Sequence, residues 1–128
     1  MERQTLLMDL LLSSNHDIRE GVLELLCFLS DLAMTTRVSI AKHPKCLVRL
    51  VALLSSGAGK GRLKTARLSA MILNNVALAP AAKPYFLPYE KDLFVIAACD
   101  DTVSQMVSNL IGDLESVDLA MYLNAKSL

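Results

Sequence analysis

Residues able to carry out covalent chemistry are few in this chain, and none stands where that chemistry needs it. The run Gly57-Ala58-Gly59-Lys60-Gly61 looks at first like a phosphate-cradling loop. That motif requires a glycine five residues ahead of the Gly-Lys pair and a Ser or Thr after the lysine. Leu54 and Gly61 occupy those places, and a helical pattern rather than a strand comes before. The run therefore reads as an inter-helix loop, with no nucleotide or other cofactor expected. Neither His16 nor His43 belongs to a set of Cys, His and acid at metal-ligand spacing, so no metal centre is expected. Cys46 lies three residues from His43, but no third group orients the pair and no oxyanion donors accompany it. With Cys27 and Cys99 it sits in an apolar helical pattern and reads as a reduced core thiol. No catalytic residue is nominated, and an enzyme is not expected.

The remaining polar residues recur with a period. Leu29-Ser30-Asp31-Leu32-Ala33 returns as Leu73-Asn74-Asn75-Val76-Ala77 and as Ile111-Gly112-Asp113-Leu114-Glu115, 44 and then 38 residues further on. Each copy closes an apolar helical stretch. Upstream, Leu10-Leu11-Leu12-Ser13-Ser14 corresponds to Ala52-Leu53-Leu54-Ser55-Ser56 and to Ala97-Ala98-Cys99-Asp100-Asp101. A period of about 40 residues in a helix-only sequence predicts an all-α, right-handed armadillo-like solenoid. Such solenoids are binding scaffolds more than seats of catalysis. In peptide-binding armadillo repeats the recurring polar position holds an asparagine that grips an extended peptide in the concave groove. Asp31, Asn75 and Asp113 are thus candidate groove-lining residues. A polar side chain there can equally bond the terminus of a neighbouring helix. Two of the three are acids, and the tryptophans that flank such asparagines in nuclear-import receptors are missing, so capture of a basic import signal is not expected.

The elements that position these residues follow from apolar spacing. Leu6, Leu7, Leu10 and Leu11 share a helical face that ends at Ser13-Ser14-Asn15. Asn15 or Asp17 caps a second helix reaching about Ala33, with Ile18, Val22, Leu25, Leu26, Leu29 and Leu32 as its buried stripe. A short helix through Val38 and Ile40 stops before Pro44, which then occupies the first turn of a helix through Leu47, Leu50, Val51 and Leu54. A long helix spans Leu63 to about Ala79 and ends at Pro80. Pro88 opens another, and a last helix runs from Val103 to at least Leu114. Leu29, Leu73 and Leu110 are the expected core anchors. The chain divides into a partial unit over 1–34 and units over 35–79 and 80–128, and it reads as a piece of a longer solenoid.

At 128 residues and 53% hydrophobic content the chain has one domain's length and enough apolar mass for a core. No apolar run reaches the ~20 residues that span a bilayer, and Met1-Glu2-Arg3-Gln4 is not the start of a signal peptide, so no membrane partner is expected. The net charge is zero, yet the stretch from Leu32 to Tyr89 holds nine basic residues and no acid, while both flanks are acidic. Lys60, Arg62, Lys64 and Arg67 crowd the start of a helix, where the macrodipole disfavours cations. This block is a candidate patch for an acidic partner, protein or phosphate. Alternatively, the acidic flanks neutralise it, or it is simply solvated. No aromatic side chain interleaves it, so stacking on single-stranded nucleic acid and base-specific reading are not expected.

The chain also resembles the armadillo-like C-terminal domain of the large ARID-bearing subunits of SWI/SNF chromatin remodellers, and is similar to plant LFR-type armadillo subunits. Arg67 through Ala77 and Tyr85-Phe86-Leu87-Pro88-Tyr89-Glu90-Lys91-Asp92-Leu93 carry the likeness. Val103-Ser104-Gln105-Met106-Val107 extends it. In that family an aromatic, a Tyr-Glu pair and a Leu open the penultimate helix; here these are Phe86, Tyr89, Glu90 and Leu93. The resemblance implies a nuclear, non-catalytic subunit that docks other remodelling-complex subunits. The alternative is a cytoplasmic armadillo adaptor that binds an extended peptide. Apolar end faces would also allow self-association.

Overall fold

A computed structural model of the chain describes residues 7–57, 63–97 and 103–114. Every regular element among them is helical. Helix α1 covers 7–10 and unwinds through three i→i+3 bonds, from the amides of Leu11, Leu12 and Ser13. Asn15 begins the next helix: its Oδ1 accepts from the amides of Asp17 and Ile18 at 3.0 and 3.2 Å, satisfying two donors that no helix can satisfy internally. Helix α2 is His16–Leu32, α3 Met34–Lys42, α4 Cys46–Gly57 and α5 Leu63–Ala77. A 3-10 helix, Pro80–Tyr89, leads into α6, Glu90–Ala97, and α7 covers 103–114.

Only Ala33, in extended conformation, separates α2 from α3. The corner is held by Arg37, whose Nε and Nη2 donate to the carbonyls of Ser30 and Asp31 at 2.6 and 3.1 Å. Arg49 does the same for the end of α1, donating from Nε to Leu11 O at 3.1 Å. Cations at the carbonyl end of a helix meet both the orphan acceptors and the negative pole of the dipole.

The 3-10 form of Pro80–Tyr89 follows from its prolines. Pro80, Pro84 and Pro88 each lack an amide donor, and each ring clashes with the carbonyl four residues back in an α-helix. The segment therefore keeps the tighter winding until Glu90. Pro88 accordingly lies inside the 3-10 helix instead of opening α6. Pro44 lies two residues ahead of α4, in a turn where Lys45 N donates to His43 Nδ1 at 3.2 Å. Helix α5 stops at Ala77, and the amides of Leu78 and Ala79 close it with i→i+3 bonds.

Helix α5 is the centre of the packing. It lies against α2, α3, α4 and the 3-10 helix, while α3 also meets the 3-10 helix and α4 meets α6. Its buried positions include Thr65, Ala66, Ser69, Ala70 and Ala77, short side chains that let neighbouring backbones approach, alongside Ile72, Leu73 and Val76. The contiguous core reaches from Met8 to Leu114, with Phe86, Leu23, Leu26, Leu50, Leu93 and Leu110 among its fully buried members.

The stripe expected on α2 is rotated. Val22 and Leu26 are buried, but they are joined by Leu23, Ser30 and Arg19, while Ile18, Leu25 and Leu32 are exposed and Leu29 is half-buried. Helix α2 carries apolar residues around most of its circumference, so periodicity offers two overlapping stripes and the position of α5 selects one. Leu29 is thus not a core anchor, unlike Leu73 and Leu110. Leu73→Ala should lower unfolding free energy by about 2–5 kcal/mol, whereas Leu32→Ala should change it by under about 0.5 kcal/mol, both read from urea titration.

Candidate protein-interaction surface

The groove between α2 and α5 encloses about 370 Å³. Phe28 and Met71, 61% and 44% exposed, form its apolar wall, with Asp31 and Asn75 at its polar edge. Two of the three recurring polar residues thus share one concavity. Asp113, on α7, engages through its backbone: its carbonyl accepts from Lys83 Nζ of the 3-10 helix at 3.4 Å.

The amide of Asn75 is committed to the fold. Its Nδ2 donates to Ser30 Oγ at 3.1 Å and approaches Cys27 O at 3.5 Å, both on α2. Ser30 is fully buried and its hydroxyl donates in turn to Cys27 O at 3.0 Å. Asn74 faces the other way, its Nδ2 donating to Ala70 O within α5 and to Met106 O on α7 at 3.3 Å. Adjacent asparagines therefore tie α5 to both flanking helices. Asn74 was not among the expected site residues. The signal for it was available: two neighbouring amides at the end of a mostly buried helix point in different directions and can bond two partners.

Of the basic block, Lys60 and Arg62 lie outside the described residues. Lys64 is exposed, and its Nζ sits 2.9 Å from Glu20 Oε1 and 2.7 Å from Glu24 Oε1 on α2. The hydrogen bond from Lys64 holds the Glu20 carboxyl below the ordinary glutamate range, while Glu24 and Glu20 raise the Lys64 ammonium above its own. The contribution of Glu20 is present above the ordinary glutamate pKa and fades as pH falls through the lowered one. These pairs are open to solvent and screened by salt, so they orient α5 on α2 more than they stabilise it. They also offset a lysine's poor fit at a helix N-terminus. Arg67 is exposed one turn further along α5.

Phe86, Tyr89, Glu90 and Leu93 divide between core and surface. Phe86 and Leu93 are buried; Tyr89 packs partly against the core, and Glu90 is half-exposed. Near them, His43 uses both ring nitrogens. Since Nδ1 accepts from the Lys45 amide, the ring proton sits on Nε2 and is donated to Asp9 Oδ1 at 2.9 Å. Burial pushes the Cys46 thiol up to about 12, and burial followed by the Asp31 charge raises that of Cys27. Among the described residues no three His, Cys, Asp or Glu side chains converge on a metal site, and no helix is long and apolar enough to cross a membrane.

No protein family, characterised protein or solved structure matches this chain.

Asn75→Ala removes a donor from a buried hydroxyl and a carbonyl, and should lower stability by about 1–2 kcal/mol in urea denaturation. Asp31→Ala, at an exposed position, should change it by less than about 0.5 kcal/mol. For Cys46, the unfolded chain releases the thiol proton near pH 9 and the folded one only near 12, so stability falls as pH rises between those values. At pH 8 iodoacetamide should leave Cys46 unmodified in the native chain and alkylate it in urea, read by peptide mass spectrometry; fast native labelling would contradict the burial.

Proposed function

We propose that the chain is a non-catalytic scaffold of armadillo-like units, a partial one over 1–34 and two over 35–79 and 80–128, that holds protein partners together. One observation carries this reading: elements in corresponding places of successive units pack on each other. The closing helices α2 and α5 pack together, as do the opening elements α3 and the 3-10 helix and the middle helices α4 and α6. Stacking of like on like is how a solenoid continues its core from unit to unit. The 3-10 opening of the last unit departs from a regular repeat, for the reason its prolines supply.

The setting we propose is a SWI/SNF-type chromatin-remodelling complex in the nucleus. This rests on the resemblance through Phe86, Tyr89, Glu90 and Leu93 and through Val103, Ser104 and Gln105. A protein partner is favoured over nucleic acid because Lys64, within the basic block, is already paired with α2. Exposed apolar side chains such as Phe28, Phe94 and Leu32 are contact area of the kind a subunit interface covers. The adaptor reading, an extended peptide between α2 and α5, draws on Phe28 and Met71. It loses the grip expected of Asn75, whose amide hydrogens already serve α2.

Affinity purification of the protein from nuclear extract, followed by mass spectrometry, should enrich a remodelling ATPase and its companion subunits. Recovery of none of them would remove the remodeller assignment, and unaltered recovery with a Phe28→Glu variant would remove the α2–α5 groove as the contact.

A further inference from the structure

A second concavity, of about 380 Å³, lies away from the α2–α5 groove, where the turn after α3 meets the 3-10 helix. Its walls are flat rings: Pro44 from one side, and the pairs Pro84-Tyr85 and Pro88-Tyr89 from the other. Lys42 stands exposed at the edge. Among the described residues, neither tyrosine hydroxyl and no atom of the Lys42 ammonium has a hydrogen-bond or ion-pair partner. His43, also in the wall, has both nitrogens engaged, so the positive charge here is that of Lys42.

We infer that this pocket binds a proline-rich peptide segment carrying an acidic residue. A polyproline II strand has three residues per turn and no internal hydrogen bonds, so its ridges seat between flat rings at little ordering cost. Proline carbonyls accept hydrogen bonds and need no acceptor in return, which matches hydroxyl donors on an otherwise apolar wall. The unpaired Lys42 selects the acidic neighbour and sets the direction of the peptide. Tyr85, 42% exposed, is the residue that the ligand covers, and Tyr89, packed partly against the core, is the floor.

The chain has no tryptophan, and two of its three tyrosines line this pocket, so a change in tyrosine emission that is lost in Tyr85→Ala reports on it. The probes are the synthetic peptide Asp-Pro-Pro-Leu-Pro-Pro, its Asn-Pro-Pro-Leu-Pro-Pro counterpart and inorganic phosphate, titrated into the full chain. A saturable emission change is expected with both peptides, tighter with the acidic one. Tyr85→Ala should weaken the acidic peptide by about tenfold or more, the size of a hot-spot truncation. Lys42→Glu should weaken the acidic peptide by about threefold to fivefold and spare the neutral one. Both positions are exposed, and circular dichroism checks that each variant is folded. The inference is overturned by no saturable change with either peptide, by undiminished binding to Tyr85→Ala, or by phosphate alone reproducing the change. None of these outcomes bears on recovery of remodeller subunits, so this site and the scaffold reading stand or fall separately.

Discussion

Close approach to α5 is the constraint on which the rest of the structure depends. A helix can serve this many neighbours only if some of its buried positions are short, and Ala66, Ser69, Ala70 and Ala77 provide that while Ile72, Leu73 and Val76 fill the remaining space. Enlarging any of the small set would push a neighbour away and open gaps around several others. The apolar contacts are non-directional, so by themselves they would let α2 and α7 slide along α5. Asn75 and Asn74 remove that freedom, one bonding backward to α2 and the other forward to α7. Close packing supplies the attraction, and the two amides supply the register.

Much of the architecture can be read from the chain. Apolar spacing and the Pro positions place α2, α5 and α6 within about two residues, and Asn15 is one of two expected caps. They do not foresee the 3-10 helix Pro80–Tyr89, and α4 runs on to Gly57, a residue expected in the loop. Which face a helix buries is harder to read. Helix α2 has leucines on both candidate stripes, and only the location of α5 selects Val22, Leu23, Leu26 and Ser30. The same limit applies to Leu29, which shares its place in the repeated phrase with Leu73 but is half-buried where Leu73 is fully buried. A repeat in sequence equates positions that are not equally covered.

The polar positions follow the same logic. Recurrence flagged Asp31, Asn75 and Asp113, and the structure brings the first two to one groove. What a side chain bonds depends on neighbours 45 or more residues away, as for Asn75 with Ser30 and Cys27. That is why a single residue type in a pattern left both a ligand-gripping and a helix-tying use open. Lys64 makes the same point, since its acidic partners sit on a helix far back in the chain.

The prolines of the 3-10 helix have an effect beyond its winding. Each ring fixes one backbone torsion before the chain folds, so the denatured ensemble has fewer shapes to give up here than elsewhere. The connection between α5 and α6 is thereby stiff by composition. Ordering this segment therefore subtracts less from the docking of α6 onto α4 than ordering a flexible loop of equal length would.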